Sequence, residues 1–119
     1  MDITPLLPKG RQVIGGYGGG GFKINNDRIE GSLLVFPDHH VAWDGNITLE
    51  SLQPVLNEPG IELLLIGTGS SMKPLDASIH QVLKAKGISA EAMDTGAACR
   101  TFNILISEER RVTAALIAV

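Results

Sequence analysis

Two short stretches of this chain carry residue types that could hold an anion. The first is Gly67-Thr68-Gly69-Ser70, and the second is Thr95-Gly96, with Cys99 and Arg100 just beyond it. Glycines let backbone N–H groups turn toward an anion with no Cβ in the way. Ser70 and Ser71 would add hydroxyls there, and Lys73 a charge. A helix beginning near Thr95 would present free N–H groups and a partial positive charge. Arg100 would supply a two-pronged contact to a carboxylate or phosphate. Cys99, in the first turn or so, is the candidate nucleophile, because a helix N-terminus lowers a thiol pKa. A plainer reading competes at each position. The glycine loop also suits a tight βα turn without a ligand. Cys99 in Ala97-Ala98-Cys99 also suits a small packed residue, and Arg100 an ordinary ion pair.

Other chemistry-bearing patterns are incomplete. The run Gly15-Gly16-Tyr17-Gly18-Gly19-Gly20-Gly21 formally contains G-x-G-x-x-G. That dinucleotide fingerprint works only where it opens a helix, and Phe22-Lys23-Ile24 is strand-like instead. The run predicts a hairpin tip, or else a flexible loop over a ligand. Gly67-Thr68-Gly69 lacks the spacing of a P-loop. His39-His40 stands without a third His, Cys or carboxylate at a familiar ligand spacing, and His80 is alone on a predicted helix, so no metal is expected. Ser70, His80 and Asp94 have the types of a hydrolytic triad but no nucleophile elbow. No catalytic constellation is complete and no cofactor motif is present, which leaves enzyme status open and inclines against it.

The elements that must position these residues follow from local pattern. Gln12–Tyr17 and Phe22–Ile24 read as strands, with a turn at Asn25-Asn26-Asp27. Arg28–Phe36 reads as one strand, and His40–Trp43 as another closed by Asp44-Gly45. Strands this crowded suggest N-terminal β-hairpins. After residue 46 the period changes. Thr48 is placed to cap a helix with Leu49, Leu52, Val55 and Leu56 on its inner face. Glu62-Leu63-Leu64-Leu65-Ile66 is a continuous apolar run, as in a strand buried on both faces. Asp76 is placed to cap a helix bearing Ile79, Val82 and Leu83, and Gly87 stands where a C′ glycine belongs. Ile88–Met93 is a strand. Asp94 or Thr95 would cap a helix over Ala97–Ile106, and Arg111–Val119 returns to a strand. The second half thus reads α-β-α-β-α-β, which predicts a three-layer α/β core with the two candidate loops on one rim. The direction of the last strand stays open on these grounds.

Bulk properties narrow the function classes. The chain has 119 residues, which suits a single domain over 1–119 with an irregular leader over 1–11. Apolar residues are 44% of it and charged residues 19%, a globular balance. Aromatics are only 4%, which predicts an aliphatic core. The formal net charge is −3, with cations scattered, so nucleic acid is not an expected partner. The single cysteine forbids an internal disulfide and fits a reducing compartment. No secretory signal or bilayer-length apolar run stands in the sequence, so a cytoplasmic protein without direct membrane insertion is expected.

Four blocks carry a family resemblance. They are Gly31–Pro37, Glu62–Gly69, Met93–Leu105 and Glu109–Ile117, and together they cover nearly the whole chain. In these blocks the chain resembles the Mth-like domain family. The resemblance implies a three-layer fold with a central mixed, mostly parallel sheet, and a last strand antiparallel to the rest. It carries over no catalytic residue. It implies a non-enzymatic binding or assembly factor, with membrane or respiratory complexes among the systems served. The short N-terminus argues against a mitochondrial setting. A second reading, from the residues alone, is a small-anion or metabolite-binding protein or enzyme. It would use the rim of Gly67, Thr68, Gly69, Ser70, Thr95, Gly96, Cys99 and Arg100. A protein partner is expected under the first reading and a small anion under the second.

Overall fold

The computed structural model describes residues 10–119. The expected leader over 1–11 therefore lies outside the described residues, apart from Gly10 and Arg11. Eight strands and three helices follow one another from there.

The first three strands are an antiparallel meander. β1 (Ile14–Gly18) pairs with β2 (Gly21–Ile24), which pairs with β3 (Asp27–Glu30). The glycine run makes the first turn. Gly19 and Gly20 sit at φ 62° and 83°, the left-handed region that glycine enters without steric cost. This tip is tied down: Gly20 N–H donates to Val119 O at 2.7 Å, and Arg28 Nη2 donates to Gly19 O at 2.8 Å. Of the two readings given for the run, the hairpin tip is the one found.

The predicted strand over Arg28–Phe36 is two strands in two different sheets. Gly31, at φ 87°, breaks it. Before the break Arg28 and Glu30 face water. After it, β4 (Leu33–Val35) is buried at every residue. The sequence pattern runs the two together because Ile29 and Leu33–Phe36 are both strand-like, and it passes over the Gly31-Ser32 break between them.

β4 belongs to a five-stranded sheet with β5 (His40–Ala42), β6 (Leu63–Gly67), β7 (Ser89–Met93) and β8 (Val112–Leu116), in the order β5-β4-β8-β6-β7. β6 is parallel to both β7 and β8, and β4 is antiparallel to β5 and β8. The last strand is thus antiparallel to β4 only; the expectation that it would oppose the rest is corrected. The reason is the helix before it. α3 (Thr95–Ser107) has 13 residues, or ~20 Å of rise, enough to return the chain to the end of the sheet where β7 began. A strand starting there must run parallel to β7.

Side-chain alternation divides the core in two. Leu33, Val35, Leu65, Val112, Ala114 and Leu116 face one way and pack with Phe102 and Ile106 of α3 and with Ile14, Phe22 and Ile24 of the small sheet. Leu34, Leu64, Ile66 and Ala115 face the other way, against α1 (Gln53–Leu56) and α2 (Ala77–Ala85). The result is the expected three-layer mixed α/β arrangement, with α3 and the small sheet together covering one face of the five-stranded sheet and α1 and α2 the other. The core is mainly aliphatic, yet all three phenylalanines are fully buried in it, so the aromatic share understated their part.

The helix expected from Thr48 is also shorter than predicted. α1 is a single turn whose N-cap is Leu52. Thr48 instead begins a turn: its Oγ1 accepts from Ser51 N at 3.0 Å. By contrast Asp76 caps α2 as expected, accepting from Ser78 N at 2.8 Å, and Gly87 follows α2 at φ 79°.

Candidate functional site

The two candidate loops meet. β6 and β7 are parallel and in register, Gly67 opposite Met93, so both end on one rim. Thr68 N–H continues the ladder to Met93 O at 2.8 Å. The chain then closes on the first residue of α3. Thr95 N–H donates to Gly69 O at 2.8 Å. Thr95 Oγ1 accepts from Gly69 N at 2.9 Å and donates to Ile117 O at 2.7 Å. On the other side, Thr68 Oγ1 shares its proton between Ser71 O at 2.7 Å and Met93 O at 3.1 Å, and accepts from Lys73 N at 3.0 Å. One buried threonine therefore joins the ends of β6 and β8 to the start of α3, and a second shapes the loop.

There is no room in this clasp. A Cβ on Gly67 would lie 3.0 Å from Thr95 Cα and 3.1 Å from Leu116 Cδ2. The helix N-terminus is occupied as well. Asp94 caps it, accepting from Ala97 N at 2.9 Å, and Ala98 N donates to Asp94 O. The N–H groups expected to face an anion are largely engaged within the chain.

The rest of the rim lies one turn on. Tyr17 covers Gly96: an added Cβ there would stand 2.6 Å from the tyrosine oxygen. Arg100 is exposed and donates through Nη1 to Tyr17 Oη at 3.0 Å. Ser70 is exposed. Cys99 is fully buried against the α3 side of the sheet. Burial pushes its thiol up to about 12, against a smaller opposing pull from the Arg100 charge. The expected direction was down, by the helix N-terminus. The correction has a simple cause: Cys99 points inward, where desolvation of the thiolate outweighs the helix dipole. A thiol so placed fills the core and is held in its neutral form.

Two residues that tie the rim to the small sheet were not anticipated. One is Tyr17. The other is Asn103, buried on α3, whose Oδ1 accepts from Ile14 N at 3.0 Å and whose Nδ2 donates to Ile14 O at 2.8 Å. An asparagine between Phe102 and Ile106 on an apolar helix face is the sequence signal for this contact.

A concavity lies at the opposite end of β8. It is an open cleft of about 450 Å³ bordered by Arg11, Asp38, Glu58, Ile61 and Arg111. His39 stands beside it, with Nδ1 2.6 Å from Asp38 Oδ1, and its ring is stacked on Phe36 at 4.4 Å and 3°. The hydrogen bond to His39 holds the Asp38 carboxyl below its ordinary pKa. His40 turns elsewhere, to Gln12 Oε1 at 2.8 Å. The histidine pair is thus split, and a carboxylate oxygen of Glu58, distant in sequence, lies within 4.8 Å of a His39 ring nitrogen.

Comparison with known proteins extends these observations. A family model described as a protein of unknown function (DUF498/DUF598) matches residues 14–117. The Xenopus tropicalis protein named NADH dehydrogenase [ubiquinone] 1 alpha subcomplex assembly factor 3 is 41% identical over 106 residues. The match covers 85% of this chain and 58% of that protein. The chain therefore spans about three-fifths of the length of this relative. A crystal structure described as an outer membrane protein from Bartonella henselae superposes with TM-score 0.87 at 41% identity, over 92% of this chain and 97% of that one. The solution structure of a Bordetella pertussis protein described as a Mth938-like domain gives TM-score 0.80 at 30% identity, over 98% and 92% of the two chains.

Proposed function

The chain belongs to the DUF498/DUF598 family, and from that membership we propose that it is a non-enzymatic binding and assembly factor for a multi-subunit protein complex. The observation that carries this reading is similarity over most of the chain to relatives named as assembly factors of an NADH dehydrogenase. The proposed client is a respiratory complex of that kind, met from the cytoplasmic side. Among the described residues, no helix is long and apolar enough to cross a membrane, so the contact would be peripheral.

The rim supports a binding role more than a catalytic one. Gly67, Thr68, Gly69 and Thr95 serve as a clasp in this reading, and Gly96 and Cys99 serve as packing. Ser70 and Arg100 stay at the surface. One turn beyond Arg100, Ile104 is 58% exposed, which is unusual for so large an apolar side chain on a helix otherwise half sunk in the core. We assign Arg100 and Ile104 to the partner-facing strip of α3, arginine being enriched at protein interfaces and Ile104 offering exposed apolar surface one turn away. The small-anion reading has less behind it, because the backbone N–H groups of Thr68, Gly69, Thr95 and Ala97 are already engaged.

The test is genetic and biochemical. Cells lacking this chain should show less fully assembled NADH dehydrogenase on native gels, with subassemblies accumulating. An unchanged level of the assembled complex would remove the proposal's support.

A further inference from the structure

The cleft at the other end of β8 has no part in the assembly role just described, and its residues point to a different property. Asp38, His39 and Glu58 each offer one donor atom, and these atoms lie within 4.8 Å of one another. Tetrahedral bonds of ~2.0–2.1 Å place donor atoms about 3.3 Å apart. Shifts on the order of 1 Å would therefore close all three around one ion. The side chains have that freedom, since Asp38 and His39 are exposed and Glu58 is half-buried. Their backbones are each held by a hydrogen bond. Phe36 N–H donates to His39 O at 2.8 Å, closing the turn that carries Asp38 and His39. Glu58 N–H donates to Val55 O at 3.2 Å, fixing the opposite wall. Stacking on Phe36 leaves the imidazole nitrogens at the ring edge, and a metal on Nδ1 would replace its 2.6 Å contact with Asp38 Oδ1.

The shape of the surface is an independent indication. Asp38 and Glu58 both border the cleft of about 450 Å³. Three protein donors leave a fourth position open, as in catalytic rather than structural metal sites. Because two of the three donors border the cleft, that position would open toward it. Arg11 and Arg111 border the same cleft. Their charge opposes a bare cation but favours an anionic fourth ligand such as a carboxylate. One imidazole with two carboxylates is a borderline donor set that suits Zn²⁺ better than Mg²⁺ or Ca²⁺.

We propose that Asp38, His39 and Glu58 form a three-donor site for one divalent transition-metal ion, with its open position toward the Arg11–Arg111 cleft. The probe is Zn²⁺ alone, titrated calorimetrically into the untagged full chain in a non-chelating buffer. One ion per chain is expected. His39→Ala and Glu58→Gln should each weaken binding at least tenfold, while His80→Ala leaves it within twofold. In NMR spectra the His39 ring carbons should shift on addition of Zn²⁺ and stay unmoved with equimolar Mg²⁺. Glu58→Gln, which leaves the Phe36–His39 stack intact, separates loss of a ligand from loss of local structure. The proposal is overturned if the wild-type chain takes up no stoichiometric Zn²⁺, or if binding survives both substitutions.

Discussion

Thr95→Val is the sharpest probe of the clasp. Valine keeps the shape of threonine and replaces only the hydroxyl, so packing is preserved. Two groups lose their partner: the Gly69 N–H, which donates to Thr95 Oγ1, and the Ile117 carbonyl, which accepts from it. Gly69 is buried and Ile117 half-buried, so water reaches the second group more easily than the first. An orphaned buried donor or acceptor costs roughly 1–3 kcal/mol, which gives a combined loss of roughly 2–4 kcal/mol once the partial exposure is allowed for. For a chain of this size that lowers Tm by about 8–15 °C. The assay is urea unfolding, with Thr95→Ser as the control. Serine retains both hydrogen bonds and loses one methyl group, at about 1 kcal/mol. Refutation would be a valine variant within about 0.5 kcal/mol of wild type, the usual range for a substitution that touches no such feature, or a serine variant as damaged as the valine one.

Three further outcomes follow from buried or strained positions. Asn103→Leu strands both backbone groups of Ile14 and should cost roughly 2–4 kcal/mol, with amide exchange rising first in β1 and β2, where the small sheet is tied to α3. Cys99 should resist thiol reagents until the chain unfolds. Its thiol is raised from 9.0 to about 12 on folding, so stability held by the neutral thiol is complete below pH 9 and is lost as pH climbs through 12. The loss is at most ~1.4 kcal/mol per pH unit, and a wild-type curve that parallels Cys99→Ala there would contradict it. Glu109 ends α3 at φ 59°, a conformation costing a non-glycine residue ~1–2 kcal/mol, so Glu109→Gly should raise stability by roughly 0.5–1 kcal/mol in thermal melts.

What could be read from the residues were features decided by a few neighbours in the chain. Asp76 and Asp94 cap the helices they precede, and Leu63–Ile66 lies in a strand covered on both faces, because each needs only a local pattern. Four features depended on tertiary contacts and stayed hidden. The break at Gly31 arises where the chain passes from one sheet to the other. The direction of β8 is set by the length of α3 relative to the sheet. Cys99 sits at a helix start, yet the face it occupies, not its position along the helix, decides its acidity. Glu58 and His39 lie far apart in sequence, and only the packing of α1 against the sheet brings them together. At the rim, sequence reasoning located the meeting of Gly67–Gly69 with Thr95. It could not foresee that Thr95 Oγ1 would bond to Gly69 and Ile117, because Ile117 comes from a strand whose place in the sheet was open.

The central claim is that this chain acts by binding a partner and not by chemistry at its rim. Complementation of a deletion strain tests it most directly, scored as assembled NADH dehydrogenase on native gels. Cys99→Ala should restore assembly in full, while the doubly altered Arg100→Glu, Ile104→Glu chain, folded and present at normal levels, should not. Restoration by the surface variant together with failure of a stably folded Cys99→Ala chain would contradict the account.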